Sequence, residues 1–233
     1  MVTGCSTANH YLLKLTVFSL TMAYQLSEDE IWFPQPELAD DNGLLAIGGD
    51  LSAERLLLAY RNGIFPWYSD ETPILWYTPH ERFVLFPDKI KVSSTMRKLL
   101  KSNQFNITFN RAFPDVISAC ASIHREGEPG TWITSDMQQA YINLNRLGYA
   151  HSVEVWENDV LAGGLYGVSL NNVFCGESMF SKVNNASKAA LIWMCENKNF
   201  VMVDCQVHTR HLESLGAEFI SRNRYMEFLK PDL

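Results

Sequence analysis

The sequence has few cysteines, no apolar run of membrane length and no excess of basic residues. Its five cysteines are scattered and form no CxxC pair, which argues against a disulfide framework and indicates a reducing compartment. The 13 glycines and 9 prolines in 233 residues exclude collagen-like and linker-dominated chains. A net charge of −7 excludes a uniformly basic protein that coats nucleic acid, although it is compatible with a local basic patch.

The N-terminal stretch differs from the rest of the chain. Residues 11–20 (YLLKLTVFSL) are apolar but contain Lys14, and they fall far short of the roughly 20 apolar residues that a membrane helix needs. They lack a positively charged start and a clear small-residue cleavage site, so they make a poor signal peptide. We expect residues 1–21 to be an extension, with Met22 as an alternative start, and the protein to be cytoplasmic with no membrane partner.

Apolar periodicity and capping residues predict both helices and strands. Helices are expected over residues 51–61, 93–101, 110–124, 134–147, 185–197, 209–215 and 221–229. Strands are expected over residues 151–156, 160–168, 173–180 and 200–207. The two aromatic runs at residues 64–68 and 74–77 are expected to be strands or a compact aromatic wall. From residue 151 the order is a meander of three strands, a helix and a strand that requires a right-handed crossover. This order is typical of α+β folds of the acetyltransferase type, and fold analogy alone says nothing firm about chemistry.

Asp204-Cys205-Gln206 ends the last apolar strand. Residues two apart in a strand share a face, so we expect Asp204 and Gln206 to project together while Cys205 points away. A buried carboxylate needs a hydrogen-bonding partner, and a neighbouring amide is one. The pair suits polarisation of a reacting group; alternatively, Asp204 only satisfies backbone groups at a strand end.

Glu177 interrupts an otherwise apolar strand. Gly176 beside it indicates a bulge or a close backbone approach by a ligand. A carboxylate in such surroundings suits the binding of an amine or a shifted pKa. The alternative is an ordinary paired carboxylate at a strand edge.

Residues 88–101 (DKIKVSSTMRKLLK) hold five basic residues against one acidic residue. Arg97 and Lys101 are four residues apart and share a helix face. This pattern suits contacts with a phosphate backbone, and the alternative is a solvated helix face.

Patterns for metal binding and nucleophilic catalysis are weak. Cys205, His208 and His211 are residue types that zinc accepts, but no fourth ligand is evident. Cys175 has no neighbouring residues that indicate a thiolate triad. Neither GxxxxGK[ST] nor GxGxxG occurs. We therefore expect no metal and no cofactor.

Six short sequence strings indicate a family more specifically together than any one of them does alone. In their order along the chain they resemble the bacterial leucyl/phenylalanyl-tRNA–protein transferases, and the resemblance extends over about residues 31–229. The strings are residues 42–51 (NGLLAIGGDL), 63–67 (GIFPW), 130–134 (GTWIT), 174–181 (FCGESMFS), 185–188 (NASK) and 204–206 (DCQ).

The resemblance implies a fold and an activity. The fold would be a small N-terminal α/β domain at residues 22–81 joined to an acetyltransferase-like catalytic domain at residues 82–233. The activity would be transfer of Leu, Phe or Met from aminoacyl-tRNA to a protein with N-terminal Arg or Lys, which marks that protein for degradation. The reaction is aminolysis of an activated ester, so it requires no covalent enzyme intermediate.

The resemblance also implies roles for individual residues. Gln206 would hold or polarise the attacking amine, Asp204 would orient Gln206 and assist a proton relay, and Glu177 would position the amine or the aminoacyl group. The pocket for the aminoacyl side chain would use Leu165, Phe174, Met179 and Ser181. The tRNA would be bound at its terminal adenosine by Trp67 and Trp132, and at its acceptor stem by Arg97, Lys98 and Lys101.

Two other functions stay open on the sequence. A coenzyme-A-dependent N-acyltransferase would share the fold, but residues 181–187 (SKVNNAS) lack the glycine-rich turn that cradles a pyrophosphate. A non-enzymatic RNA-binding module would use the basic helix with Trp67 and Trp132. Such a module would tolerate the loss of Asp204 and Gln206, so these two residues discriminate it from an enzyme.

Overall fold

A computed structural model of the chain describes residues 23–123 and 132–230. The expected extension at residues 1–21 lies outside the described residues, as do Gly130 and Thr131 of one motif. The strands are β1 (Tyr24–Leu26), β2 (Leu44–Gly48), β3 (Phe65–Pro66), β4 (Leu75–Tyr77), β5 (Glu81–Leu85), β6 (Asn106–Phe109), β7 (Ala150–Glu157), β8 (Val160–Leu170), β9 (Val173–Ser181), β10 (Met202–Gln206) and β11 (Glu218–Ser221). The helices are α1 (Ala53–Arg61), α2 (Ser94–Lys101), α3 (Phe113–Ala121), α4 (Ser135–Arg146), α5 (Ala186–Asn197), α6 (Arg210–Ser214) and α7 (Arg222–Leu229), with short 3-10 turns at Pro36–Leu38 and Pro87–Lys89.

These elements confirm the α+β class. Each expected helix is present, somewhat shorter than the sequence pattern indicates, and each expected strand is present. The sequence pattern does not predict β1, β2, β5, β6 and β11. None of the helices in the described part of the chain is both long and apolar enough to cross a bilayer.

The chain forms two compact units that do not follow a single cut in the sequence. Among the described residues, unit 1 comprises residues 23–82, 132–140 and 219–230. Unit 2 comprises residues 83–123 and 141–218. The expected domain boundary at residues 81 and 82 stays a prediction.

Unit 1 contains a four-stranded sheet in the order β1-β2-β4-β3. Helix α1 begins where the Ser52 hydroxyl accepts the backbone N–H of Arg55. The Arg55 side chain is fully buried, and it pairs with Asp50 at 3.2 Å and donates to the carbonyls of Ser27 and Glu30. A buried charge must be paired. Asp50, within residues 48–52 (GGDLS), pairs with Arg55, and Arg55 in turn holds the backbone of residues 27–30.

Unit 2 contains the strand series β5-β10-β9-β8-β7-β6. Strands β7, β8 and β9 form an antiparallel meander, and β10 returns parallel to β9 after α5. This arrangement confirms the expected meander and crossover. Helix α5 packs on β7, β8 and β9 and is apolar on several sides, so it fills the core of this unit. Its first turn lies so close to β8 that a Cβ on Gly163 would be 2.5 Å from the Cβ of Ala186.

Candidate active site

Glu177 occupies a bulge in β9. Tyr166 of β8 lies opposite Ser178, but the next β8 residue, Gly167, lies opposite Gly176, so Glu177 is an extra residue in its strand. Bulges re-aim side chains and are frequent beside active sites. A Cβ on Gly176 would lie 3.2 Å from the backbone oxygen of Asp204, so the absence of a side chain lets β9 and β10 approach closely. The bulge expected at Gly176 is confirmed.

Gln206 ends β10 in a strained conformation. Its φ is +57°, a region that non-glycine residues rarely adopt. The backbone N–H of Val207 donates to the carbonyl of Cys205 at 2.6 Å, which closes a tight three-residue turn centred on Gln206. Strain of this kind costs about 1–3 kcal/mol and clusters at functional sites. Five other described non-glycine residues have a positive φ, but all are Asn or Asp, which tolerate this region, so Gln206 is the unusual case among them.

At this turn the expected placement of Asp204 and Gln206 on one strand face is wrong. The register of β10 against β5 shifts between Asp204 and Gln206, so Cys205 is an extra residue there. The two-residue alternation that was expected to place Asp204 and Gln206 on one face does not continue to Gln206. The two residues are instead joined by a local bond, in which the backbone N–H of Gln206 donates to Oδ1 of Asp204 at 3.0 Å.

The side chains of Gln206 and Glu177 meet where the pairing of β9 with β10 ends. Nε2 of Gln206 donates to Oε1 of Glu177 at 2.8 Å, and the Glu177 side chain is only 7% exposed. In this bond the amide turns its NH₂ group, which can only donate, toward the accepting carboxyl oxygen of Glu177. The amide oxygen of Gln206 is left as an acceptor, and no partner for it lies within residues 23–123 and 132–230.

Tyr141 is a member of this cluster that the sequence analysis missed. Its hydroxyl donates to Oε2 of Glu177 at 3.2 Å, and its ring makes an edge contact with Tyr166 at 5.8 Å between centroids. Tyr141 is fully buried on α4. From the sequence it is one of several apolar residues on a helix face, and periodicity carries no signal that separates a core tyrosine from one that holds a carboxylate.

The cysteine next to the cluster does not suit nucleophilic catalysis. Burial raises the pKa of the Cys205 thiol well above its usual range, and the negative charge of Asp204 raises it further. A thiol of this kind stays protonated at neutral pH, whereas the nucleophile in cysteine catalysis is the thiolate. The chemistry that the cluster can support is orientation of a polar group by an amide and two carboxylates.

Three of the four residues expected in an aminoacyl pocket lie together. Leu165 of β8 lies opposite Met179 of β9, and both belong with Phe174 to the apolar core that includes residues of α5. Leu165 and Phe174 are buried and Met179 is half-buried. Ser181 is exposed, and its hydroxyl donates to the carbonyl of Val183 at 2.7 Å. The hydroxyl of Ser181 thus already supports the turn that leads into α5.

The two tryptophans expected at the tRNA adenosine both belong to unit 1 and are half-buried. Trp67 makes an edge contact with Tyr77 at 5.9 Å. The next residue, Tyr68, shares a hydrogen bond of 3.2 Å with Thr134, two residues after Trp132. This bond ties the segment of Trp67 to the segment of Trp132.

The expected basic surface is present on α2. Arg97, Lys98 and Lys101 are exposed, while Met96 on the opposite side of the helix is buried. None of these three cations forms an ion pair with a residue that the structure describes. A cluster of exposed cations without acidic partners is available to bind an anion.

Two histidines, His208 and His211, follow β10 in the sequence. His208 pairs with Glu213 at 3.3 Å and lies edge-on against Phe83. Burial lowers the pKa of His211, and the charge of Lys188 lowers it further. In the described part of the chain, no group of three or more His, Cys, Asp or Glu side chains is arranged to hold a metal ion.

Comparison with known proteins places this chain in a family. The family model of the leucyl/phenylalanyl-tRNA protein transferase matches residues 84–230, and the model of its N-terminal domain matches residues 49–80. A superposition on a GCN5-related N-acetyltransferase from Kribbella flavida has a TM-score of 0.38 at 10% identity, over 70% of this chain and 58% of that one.

Relatives of known name agree with the family models. The leucyl/phenylalanyl-tRNA–protein transferase of Syntrophobacter fumaroxidans is 51% identical over 94% of this chain and 92% of its own length. Those of Flavobacterium johnsoniae and Syntrophus aciditrophicus are 52% and 55% identical, over 89% and 87% of this chain and 99% and 86% of their own lengths. The resemblance carried by the six strings is confirmed, and the chain belongs to the leucyl/phenylalanyl-tRNA–protein transferase family.

Proposed function

We propose that this enzyme transfers Leu or Phe, and also Met, from aminoacyl-tRNA to the α-amine of proteins that begin with Arg or Lys. The observation that carries the proposal is the Gln206 amide, which Glu177 holds so that an unused oxygen acceptor remains. An attacking amine needs such an acceptor for its N–H. Family membership supplies the donor and acceptor classes, aminoacyl-tRNA and protein.

The proposed reaction is aminolysis of an ester. The amine nitrogen bonds to the aminoacyl carbonyl carbon, the bond between that carbon and the ribose oxygen breaks, and a proton of the amine ends on the ribose oxygen. An α-amine has a pKa near about 8, so part of it is neutral at physiological pH. The enzyme mainly has to orient the amine against the ester, and good orientation supplies a large part of such rate enhancements.

Each residue of the cluster has a role in this proposal. The amide oxygen of Gln206 accepts an N–H of the attacking amine, and Glu177 fixes that amide and thereby positions the amine. Tyr141 holds Glu177 from the other side. Asp204 bonds to the backbone N–H of Gln206, so we assign it to holding the strained turn rather than to a proton relay.

The donor side chain would lie against Leu165, Phe174 and Met179, with Ser181 at the exposed end of the same strand. An apolar pocket separates side chains that differ by a methylene by only about 1–3 kcal/mol. We therefore propose moderate selectivity among Leu, Phe and Met.

The tRNA would be held through two kinds of contact. Arg97, Lys98 and Lys101 suit phosphates of the acceptor stem, and contacts of that kind are indifferent to base sequence. Trp67 and Trp132 suit stacking on the terminal adenosine, which is worth about 1–3 kcal/mol per base. Transfer to N-terminal Arg or Lys would mark the acceptor for degradation, and we place this activity in the cytoplasm.

The direct experiment measures transfer of labelled Leu or Phe from charged tRNA to a peptide that starts with Arg. A peptide that starts with Ala and a reaction with acetyl-coenzyme A serve as controls. The proposal predicts transfer to the Arg peptide alone, from charged tRNA alone. Acylation from acetyl-coenzyme A without transfer from tRNA would instead establish the N-acyltransferase alternative.

A further inference from the structure

Strand β9 loses one of its two neighbours before it ends. Strand β10 pairs with β9 at Met202–Val173, Val203–Phe174 and Asp204–Cys175 and no further. Strand β9 continues to Ser181, and β8 accompanies it to that residue. In the described part of the chain, no strand replaces β10 beside the second half of β9. The second half of β9 therefore has no neighbouring strand on one side within the described residues, and an unpaired strand edge can bind another extended chain.

The direction of the backbone groups on this edge follows from one hydrogen bond. The N–H of Lys182 donates to the carbonyl of Ala162 of β8 at 2.8 Å, so the backbone N–H and C=O of Lys182 face β8. In an antiparallel pair this direction alternates, so Met179 and Ser181 point theirs toward the side that β10 has left. No backbone bond to these two residues from that side exists within residues 23–123 and 132–230. Met179 is half-buried and Ser181 is exposed, so neither residue is enclosed in the core.

The position of this edge suits the acceptor chain rather than an unrelated ligand. Strand β10 runs parallel to β9 and stops at Gln206, whose free amide oxygen is the proposed acceptor for the attacking amine. A peptide that begins at this oxygen and stays extended continues the line of β10. With a rise of about 3.3 Å per residue, its second or third residue lies beside Phe180, between Met179 and Ser181.

We propose that the first residues of the acceptor protein bind as a short parallel strand on β9. The N–H of the second or third acceptor residue donates to the carbonyl of Met179, and its carbonyl accepts the N–H of Ser181. Main-chain pairing gives affinity without reading side chains, so the enzyme selects the first residue and tolerates the residues after it. This inference rests on the proposed function, because it takes the attacking amine to lie at Gln206.

The test replaces single peptide bonds of the acceptor by esters, which removes one N–H without adding bulk. The substrates are a hexapeptide that begins with Arg and three variants of it. In each variant the backbone N–H of one residue, at position two, three or five, is replaced by an ester oxygen. The ester at residue two or three is expected to lower kcat/KM for transfer by about 3- to 10-fold, mainly through KM, as the loss of one hydrogen bond implies. The ester at residue five is the matched control and is expected to leave kcat/KM unchanged.

The outcomes separate this inference from the proposed function. Equal kcat/KM for the parent peptide and for the esters at residues two, three and five overturns the strand pairing while the transfer activity stands. An equal loss for all three esters also overturns it, because pairing with β9 reaches only the first residues. Failure of the parent peptide to accept Leu or Phe at all overturns the proposed function itself.

Discussion

Two buried glutamates in the same sheet differ in what surrounds them. Glu154 of β7 is completely buried and accepts from the hydroxyls of Ser152 at 2.5 Å and Thr108 at 2.6 Å and from the backbone N–H of Ala112 at 3.3 Å. Its donors are all neutral groups that tie β6 and the start of α3 to β7. Glu154 is thus a structural carboxylate that joins three segments of the fold.

Glu177 is held by comparable bonds but in a different setting. It lies on a bulge, and the amide that donates to it belongs to the strained Gln206 and presents an unused oxygen. Burial of a carboxylate is therefore no sign of function by itself. Backbone strain and an outward acceptor distinguish the proposed functional cluster around Glu177 from the structural one around Glu154.

The largest expected effect is on catalysis. Replacement of Gln206 by Ala removes the proposed acceptor for the attacking amine, and loss of one positioned polar group in a transition state typically costs about 100-fold or more. We expect kcat/KM for transfer to the Arg peptide to fall by about that factor. A rate within threefold of the wild type would place the functional centre elsewhere.

Glu154→Gln should give the opposite pattern. The amide puts an NH₂ group where hydroxyl and N–H donors now converge, so a buried donor loses its acceptor, at a cost of about 2–3 kcal/mol. Denaturant unfolding should show this loss, while kcat/KM of the folded fraction stays near that of the wild type. If activity fell with unchanged stability, Glu154 would belong to the functional cluster.

Two substitutions of Asp204 distinguish a positioning role from a proton relay, because Asn keeps the side-chain oxygen that accepts the N–H of Gln206 and Ala does not. Asp204→Asn can still accept the backbone N–H of Gln206, so a positioning role predicts kcat/KM within a few-fold of the wild type. Asp204→Ala removes the acceptor and should cost about tenfold, the worth of one hydrogen bond to a charged group. Equal, large losses in both variants would instead support a proton relay through the carboxyl group.

The smallest expected effect concerns pH and a half-buried histidine, His151 of β7. Oδ1 of Asn110 accepts from Asn145 and from the N–H of Ser152, so the Asn110 NH₂ faces Nδ1 of His151 and requires the neutral ring. Burial lowers the pKa of His151 below its ordinary 6.5, and the charge of Lys198 lowers it further. The unfolded chain then binds a proton more readily, so His151 contributes its full stability above about pH 6.5 and loses it as the pH falls through the lowered pKa.

His151→Gln should flatten this part of the stability curve. The measurement is the unfolding free energy of both proteins between pH 7 and pH 5. An unchanged slope would show that His151 is not held neutral by its surroundings.

Part of this fold was predictable because its elements carry their own signals. The helix α2 has a Ser93 cap and an apolar stripe, and the meander of β7, β8 and β9 has alternation and turn residues between the strands. The short strands β1 and β6 have no such signal. They are extended because β1 pairs with β2 and β6 pairs with β7, and both partners are distant in the sequence. A pattern within a few residues cannot predict such a pairing.

The candidate site was predictable in composition and not in geometry. Asp204, Glu177 and Gln206 stand out as polar residues in apolar strands, and the family resemblance reinforces them. The positive φ of Gln206 follows from the register shift at Cys205, which depends on how β5 and β9 hold β10 on its two sides. The contact of Tyr141 with Glu177 depends on the packing of α4 and has no local signature.

The most direct test compares two variants, Gln206→Gly and Gln206→Ala, by their free energies of unfolding. Both lack the amide, so they differ only in the Cβ atom at a φ of +57°. The account predicts that the Gly variant is more stable than the Ala variant by about 1 kcal/mol, because Gly relieves the left-handed strain. At an unstrained position Gly is instead less stable than Ala by about 0.5–1 kcal/mol. That second result would contradict the claim that the chain strains its backbone to present Gln206.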